Sequence, residues 1–167
     1  MGWLSAEQAL RHRVNTWRQP VLASTTRLSC TVQKTNGACV QAAYCPCGTG
    51  QEIQNCCGPV LAGTAEPATA EDLMRSRYSA FVLGNDAYLA TSWHSTTRPA
   101  DASAPTGIQW RRLRIRDTVG GGPDDATGEV EFIAHFRTAD GSRDFLHERS
   151  RFARENGRWV YVDGELF

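Results

Sequence analysis

Lysine and excess charge are the clearest absences from this sequence. Lys34 is the only lysine, so arginine supplies almost all of the 18 basic residues, and 18 acidic residues balance them. A chain without net charge has no global basic field of the kind that attracts nucleic acids or anionic membranes nonspecifically. Charge alone therefore gives no reason to expect either partner.

Long apolar runs are also missing. No segment approaches the roughly 18 consecutive apolar residues of a membrane-spanning helix. The start of the chain lacks the apolar core, about seven residues long, of a signal peptide. We therefore expect a cytoplasmic protein with no membrane contact, and the basic, acid-poor start leaves a transit peptide as the alternative.

The motifs of several common enzyme classes are absent as well. The sequence contains no evident Ser/His/Asp arrangement, phosphate-binding glycine loop or nucleotide fingerprint. What is present is an ordinary globular composition, with 167 residues of which 41% are hydrophobic and 22% are charged. This length fits one domain with a small appendage.

Composition and periodicity divide the chain into three parts. Residues 1–43 show little sustained periodicity, and we expect this N-terminal extension to be poorly ordered apart from a candidate short helix beginning near Ser5. Residues 44–59 are rich in cysteine and glycine, and residues 69–167 carry the helix and strand patterns of the main domain. Cys30 and Cys39 lie in the extension and are expected to be free thiols.

Helical patterns come first in the main domain. Thr69 and Asp72 predict a capping box at the start of a helix that ends at Gly84. Asn85 caps a second helix, which we expect to include Trp93. Three or four strands with alternating apolar residues follow in series. Helices followed by an antiparallel meander predict an α+β domain, with helices covering one face of a curved sheet.

Four of the six cysteines form two close pairs, Cys45 with Cys47 and Cys56 with Cys57. Two such pairs around a short glycine-containing loop match the spacing of a structural zinc site, in which four thiolates converge about 2.3 Å from the metal. Redox or disulfide chemistry is the alternative, but it requires an oxidising compartment and strained pairing. We predict one structural zinc ion with no coordination position open for catalysis.

Polar residues in apolar surroundings mark a candidate pocket. On the third strand, Glu148 and Ser150 lie between apolar positions of one face, and Arg77 is the expected ion-pair partner of Glu148. His94 is the best candidate for a general base because its unperturbed pKa is near neutrality. A purely structural ion pair and a helix-terminal histidine are the alternatives. The candidate pocket residues are Arg77, Tyr78, Trp93, His94, Glu148, Arg151 and Trp159.

Arginines also cluster on the first predicted strand, where Arg111, Arg112, Arg114 and Arg116 follow Trp110. Guanidinium groups beside an aromatic ring could contact RNA. Charges on an outer sheet face also prevent aggregation between sheet edges. Because the chain has no net charge, we interpret the cluster as a solvated face and expect no direct contact with nucleic acid.

The cysteine segment, CPCGTG at 45–50 and CCG at 56–58, resembles the SEC-C motif, the zinc knuckle at the C-terminus of the protein-translocation ATPase SecA. Further fragments resemble the YchJ family of bacterial proteins, namely LMRSRYSAF at 73–81, TSWH at 91–94, ERSRF at 148–152 and ENGRW at 155–159. The resemblance covers about residues 45–164. It implies a cone-shaped domain similar to nuclear transport factor 2, preceded by a zinc knuckle.

The resemblance implies little about activity, because the YchJ family consists chiefly of uncharacterised proteins. SEC-C knuckles of SecA are implicated in contacts with the chaperone SecB and with ribosomes, so the analogy favours a noncatalytic adaptor for a protein or ribosomal partner. The alternative is a small-molecule-binding protein or enzyme that uses the internal pocket of the cone, as ketosteroid isomerase does. A cavity of about 300 Å³ or more would favour the alternative.

Overall fold

The computed structural model describes residues 44–167, so the expectations for residues 1–43 lie outside the described residues. The described chain begins with a cysteine loop that leads into a 3-10 turn and a short helix. The elements are the 3-10 turn Ile53–Asn55, helices α1 (Cys57–Leu61), α2 (Ala70–Leu83) and α3 (Asp86–Thr91), and strands β1 (Gln109–Gly120), β2 (Thr127–Arg137), β3 (Arg143–Glu155) and β4 (Arg158–Leu166). No helix in this part of the chain is long and apolar enough to cross a membrane.

Helix α2 has the start and the end that the sequence predicts. The Thr69 hydroxyl accepts a hydrogen bond from the Asp72 amide at 3.0 Å, and the Asp72 carboxylate accepts one from the Thr69 amide at 3.2 Å. Gly84 terminates the helix in the left-handed conformation with φ of 68°, which glycine adopts without steric cost. Both helix boundaries are therefore confirmed.

Helix α3 is shorter than the sequence predicts. Asn85 caps it by accepting a hydrogen bond from the Tyr88 amide, as expected, but the helix ends at Thr91 and does not include Trp93. Trp93 instead forms an isolated parallel bridge with Tyr161 of β4. The amides of Tyr161 and His94 bond to the carbonyls of Ser92 and Tyr161, respectively. These bonds to the sheet replace those that another helical turn would have made.

The four strands of the described region form one antiparallel sheet in the order β1-β2-β3-β4. The predicted meander is therefore confirmed. The register of β1 shifts between Trp110 and Arg112 and again between Ile115 and Asp117. A third shift lies in the β3–β4 pair, between Arg151 and Phe152. Bulges bend and twist a sheet, which here curves it around α2.

The apolar core lies between α2 and the inner face of the sheet. Leu73, Met74 and Tyr78 of α2 are buried there, together with alternate residues of β2. The central residues of the core are Ala70, Leu73, Met74, Tyr78, Trp93, Leu113, Val130, Phe132, Ala134, Phe152, Trp159 and Tyr161. Helices on one face of a curved antiparallel sheet are the α+β architecture that the sequence predicts.

A close approach of two glycines holds the start of α2 against the turn between β1 and β2. The Ala70 amide donates a hydrogen bond to the Gly121 carbonyl at 2.9 Å. A β-carbon at Gly128 would lie 2.4 Å from the Gly121 α-carbon and 3.1 Å from the Ala70 β-carbon. Only a residue without a side chain fits at Gly128, because the nearest of these atoms belongs to the backbone.

Replacing Gly128 with alanine should therefore destabilise the fold. Overpacking of a close contact costs about 1–3 kcal/mol, and we expect a loss of this size in the free energy of unfolding from urea denaturation. The matched control is Thr127→Ala at the exposed neighbouring position, where surface substitutions change stability by about 0.5 kcal/mol or less. Equal effects of the two substitutions would contradict the packing argument.

Candidate metal centre

The cysteine loop brings its four sulfur atoms together. The Sγ atoms of Cys45, Cys47, Cys56 and Cys57 all lie within 4.8 Å of one another. Cys47 Sγ is 3.4 Å from Cys56 Sγ, which is 3.9 Å from Cys57 Sγ. None of these cysteines forms a disulfide, and three are buried, whereas Cys56 is partly exposed.

The local backbone explains why the two cysteine pairs face each other. Tyr44 and Glu52 form an antiparallel bridge, and the Cys45 amide donates to the Gln51 carbonyl at 2.7 Å. These contacts fold the loop back on itself, and Gly48 turns it with φ of 83°. Cys56 then precedes α1 and Cys57 begins it. The second pair therefore reaches the centre from the start of a helix.

The 3-10 turn contacts α1 at Gly58, where there is no space for a side chain. A β-carbon at Gly58 would lie 2.6 Å from the carbonyl oxygen of Ile53. Contact closer than 3 Å with backbone would require the turn to move. Gly58 thus allows α1, which begins at Cys57, to pack closely against the 3-10 turn.

The sulfur arrangement fits a tetrahedral metal ion. Four sulfurs that each lie about 2.3 Å from a zinc ion are separated from one another by about 3.8 Å. The two short separations, 3.4 and 3.9 Å, bracket this distance. The four cysteines are therefore positioned to hold a metal ion, and their thiolate donors suit zinc or iron.

Hydrogen bonds within the centre favour a thiolate at Cys47. A hydrogen bond from the Cys57 thiol is the main reason that the pKa of Cys47 is lowered to about 4. The pKa of Cys57 is raised for the same reason, with burial adding to the effect. Thr49 supports the arrangement, because its hydroxyl lies 3.4 Å from Cys47 Sγ and 3.3 Å from Cys56 Sγ. Cys47 is thus the first of these thiols to deprotonate, and a bound cation would displace the remaining thiol protons.

Helix α2 supports the centre from outside. Arg75 donates a hydrogen bond to the Cys47 carbonyl at 3.0 Å, and Glu71 holds the guanidinium in place at 2.8 Å. One turn later, the Ser79 hydroxyl lies 3.6 Å from Cys45 Sγ. Neither contact was predicted from the sequence. The spacing of Arg75 and Ser79, four residues apart on one helix face, is the signal that could have found them.

A second candidate site, the pocket between α2 and the sheet, is much smaller than the sequence analysis requires for a ligand. Its cavity is about 40 Å³, close to the ~30 Å³ that one water molecule occupies in the liquid. Arg77, Tyr78 and Glu148 line it, together with Tyr161. Burial is the main reason that the pKa of Tyr78 is raised to about 12. The space beside Glu148 is therefore nearly filled.

Glu148 is buried as predicted, and two hydroxyl groups bind it. Its carboxylate accepts hydrogen bonds from Ser150 at 2.7 Å and Tyr161 at 3.0 Å. Arg77 donates to Ser92 Oγ and the Leu89 carbonyl. Burial raises the pKa of Glu148, and both the two hydrogen bonds and the charge of the predicted partner, Arg77, oppose this effect. Tyr161 therefore links the two charged groups, because its hydroxyl binds Glu148 and its ring faces the Arg77 guanidinium.

Aromatic rings explain how Arg77 is accommodated in the core. Its guanidinium lies 4.6 Å from the centre of the Tyr161 ring and 5.1 Å from that of Trp93. Trp93 packs edge-on to Tyr161, with ring centres 4.9 Å apart. A desolvated cation is stabilised by the electron-rich faces of such rings. Trp93 therefore belongs to the wall behind Arg77, and it does not line the small cavity.

Three predicted pocket residues lie elsewhere. His94 is in the turn after α3, where its Nε2 atom is 3.8 Å from Glu155. Arg151 is largely exposed and forms an ion pair with Asp163. Trp159 is buried, and its indole nitrogen donates to the Ala68 carbonyl, in the segment between α1 and α2, at 3.1 Å. None of the three lines the cavity that contains Glu148. Arg151 alternates along β3 with buried neighbours, so its side chain lies on the opposite face of the sheet.

The burial of Glu148 predicts a pH dependence of stability. A raised pKa means that the folded protein binds the carboxyl proton more tightly than the unfolded chain, so this group loses stabilising effect as the pH rises above about 4.3. Glutamine does not ionise. The melting temperature of Glu148→Gln, relative to that of the wild type, should therefore increase from about pH 4 to pH 8.

Glu131→Gln provides a control of opposite sign. The hydrogen bond with His147 is the main reason that the pKa of Glu131 is lowered, so its ionised form stabilises the fold and this effect disappears as the pH falls below about 4. This variant should lose stability relative to the wild type as the pH rises from about 3 to 5. A melting-temperature difference for Glu148→Gln that is independent of pH would show that its proton is not linked to folding.

Comparison with known proteins agrees with the fold and the cysteine motif. A family model described as "YchJ, middle NTF2-like domain" matches residues 69–164. A UPF0225 protein of Streptomyces coelicolor is 50% identical over 122 residues, which cover 73% of this chain and 94% of that protein. A UPF0225 protein of Methylibium petroleiphilum is 51% identical over 124 residues, which cover 73% of this chain and 88% of that protein.

Two solved structures are also similar. A SEC-C motif containing protein from Rhodopseudomonas palustris has 35% identity and a TM-score of 0.67, with 75% of this chain and 99% of that chain covered. A SEC-C motif containing protein from Psychrobacter arcticus has 27% identity and a TM-score of 0.59, with 74% and 81% covered. Together with the sulfur cluster, these matches show that the chain belongs to the YchJ family, with a SEC-C motif preceding a domain similar to nuclear transport factor 2.

Proposed function

We propose that this protein is a zinc-stabilised, noncatalytic binding module of the cytoplasm that recognises a protein or ribosomal partner. The observation that carries the proposal is the convergence of four cysteine sulfurs within 4.8 Å of one another. Four thiolates complete the coordination of a zinc ion, so no position remains for substrate or water. A metal held in this way stabilises structure.

The size of the cysteine lobe supports a structural role for the metal. Its buried cluster consists of Cys45, Cys47 and Cys57, against which Ile53, Cys56 and Leu61 pack. So few apolar side chains cannot compensate for the conformational entropy that is lost on ordering the lobe. A bound metal ion would supply the missing stabilisation, as it does in other small zinc modules.

The small size of the cavity beside Glu148 supports a noncatalytic role. Small-molecule sites have volumes of about 300–1,000 Å³, whereas the cavity beside Glu148 is about 40 Å³. The only histidine that we considered as a general base, His94, lies outside this cavity. The small-molecule alternative would require the core to open before a ligand could enter.

The support for a partner comes from the knuckle and its surroundings. The similar solved proteins are described as SEC-C motif containing proteins, and the SEC-C knuckle of SecA serves for contacts with other macromolecules. Beside the knuckle, Leu83 and Tyr44 are 53% and 76% exposed. Exposed apolar side chains next to a rigid metal lobe are suited to an interface.

Metal analysis tests the zinc assignment. We expect the untagged full chain to contain about one zinc ion, and four thiols should become reactive only after chelation. Cys56→Ser should lower the metal content severalfold and reduce the melting temperature, because one ligand of the ion is lost. Cys30→Ser, which changes a cysteine that the sequence predicts to be a free thiol, is the matched control and should retain the metal.

Several results would contradict this proposal. Full metal content in Cys56→Ser would show that the ligand assignment is wrong, and iron in place of zinc would change the proposed metal.

Cosedimentation of the zinc-loaded chain with purified ribosomes tests the ribosomal partner. Leu83→Asp is the variant that should weaken this binding. If removal of zinc left ribosome binding unchanged, the metal would have a structural role that recognition does not need.

A further inference from the structure

The outer face of the sheet, opposite α2, is divided into two halves with different electrostatics. In one half, acidic side chains neutralise the arginines. Arg149 contacts Asp117 at 3.0 Å and Glu131 at 2.6 Å. Arg151 likewise forms an ion pair with Asp163. Arg149 also contacts Glu129 at 3.4 Å, so the carboxylates outnumber the arginines and this half carries a negative net charge.

The other half contains arginines without acidic partners. Arg112 and Arg114 lie opposite His135 and Ile133, so their side chains share one face of the sheet with those residues. Within residues 44–167, no acidic side chain forms an ion pair with the guanidinium of Arg112, Arg114, Arg137 or Arg143. The basic charge on this half is therefore not neutralised within the described structure.

Two of these arginines even oppose each other. Arg137 of β2 pairs directly with Arg143 of β3 across the sheet. Like charges in directly opposite positions destabilise a sheet. An anion bound between the two guanidinium groups would remove this repulsion, which is the first indication of a ligand at this surface.

Aromatic rings lie beside the unpaired arginines. Phe145 is 52% exposed and packs near the His135 ring, with ring centres 6.1 Å apart. Phe167 is 66% exposed, and its ring centre is 4.7 Å from that of His147. Large apolar rings that are more than half exposed have unoccupied faces on which another planar group can stack.

We propose that this surface, the arginine–aromatic face, binds a single-stranded nucleic acid. The face consists of Arg112, Arg114, Arg137, Arg143, Phe145 and Phe167. Guanidinium groups contact the phosphates, and the phenyl rings stack on unpaired bases. Arg112 and Arg114 are about 7 Å apart along β1, and the strands are about 4.8 Å apart, so the cations and rings lie within reach of one short strand.

The arginine–aromatic face shares Arg112 and Arg114 with the cluster seen in the sequence, for which we expected no direct contact with nucleic acid, but its aromatic residues are different. There, the aromatic candidate was Trp110, but its ring packs inward against Tyr78 at 6.0 Å and Phe136 at 5.5 Å. Tertiary structure instead brings two phenylalanines from distant positions to the arginines. An acidic peptide would satisfy the guanidinium groups but would leave these rings unused, so the combination favours bases.

Fluorescence anisotropy with a labelled 12-nucleotide oligouridylate tests the proposal on the full, metal-loaded chain. We expect binding in the micromolar range at about 50 mM salt, weakening as salt increases. The double variant Arg112→Gln, Arg114→Gln should reduce the salt slope by about 1.4, or about 0.7 for each phosphate contact. Phe145→Ala should weaken binding about tenfold with little change in slope, because a stacking contact is lost.

Matched controls distinguish a specific face from general attraction. Arg151→Gln removes a charge from the same sheet face that Asp163 already neutralises, and Leu83→Ala removes a similarly exposed apolar side chain on α2. Both should bind as the wild type does. Oligothymidylate of the same length shows whether the sugar matters, and either sugar being bound agrees with the proposal.

Three results would overturn the proposal. These are no binding at low salt, an equal effect of Arg151→Gln and the double variant, and equally tight binding of a polyglutamate peptide that Phe145→Ala does not weaken. The last result would identify an acidic protein surface as the ligand. None of these results depends on the zinc assignment, because substitutions at exposed positions of this face should leave the metal content unchanged.

Discussion

Helix α2 is the element on which both parts of the structure depend. Its inner face buries Leu73 and Tyr78 against the sheet, whereas Arg75 and Ser79 on the adjacent face contact the cysteine loop. One rigid helix therefore fixes the position of the metal centre relative to the domain. The polar contacts to Cys45 and Cys47 orient the first pair of metal ligands, in the way that outer hydrogen bonds orient ligands in other metal sites.

The interior of the domain combines apolar packing with a small polar cluster. Glu148, Tyr161 and Arg77 are buried together, and hydrogen bonds or ring contacts satisfy each of them. Gly164 makes room for this arrangement, because a β-carbon there would lie 2.0 Å from a carboxylate oxygen of Glu148. Such a cluster specifies one packing of the helix on the sheet, which is sufficient to explain why these residues are polar.

Local signals in the sequence determined much of the fold and of the metal centre. The capping box at Thr69, the glycine after α2 and the alternation in the strands depend on neighbouring residues, so their structures could be predicted. The close spacing of the cysteines likewise indicated a cluster. What the sequence could not show was the direction of long side chains. The contacts of Tyr161 with both Arg77 and Glu148, for example, were not predicted from the sequence.

Tertiary structure alone decided which distant residues meet. Arg75 and Ser79 reach the cysteines only because the loop folds back onto α2, and Phe145 and Phe167 join Arg112 only through the register of four strands. The volume of the interior was decided in the same way, since it depends on how closely complete side chains interlock. The sequence determined the local elements and the clustering of the four cysteines through short-range spacing, whereas packing across the sheet decided which distant side chains share a surface.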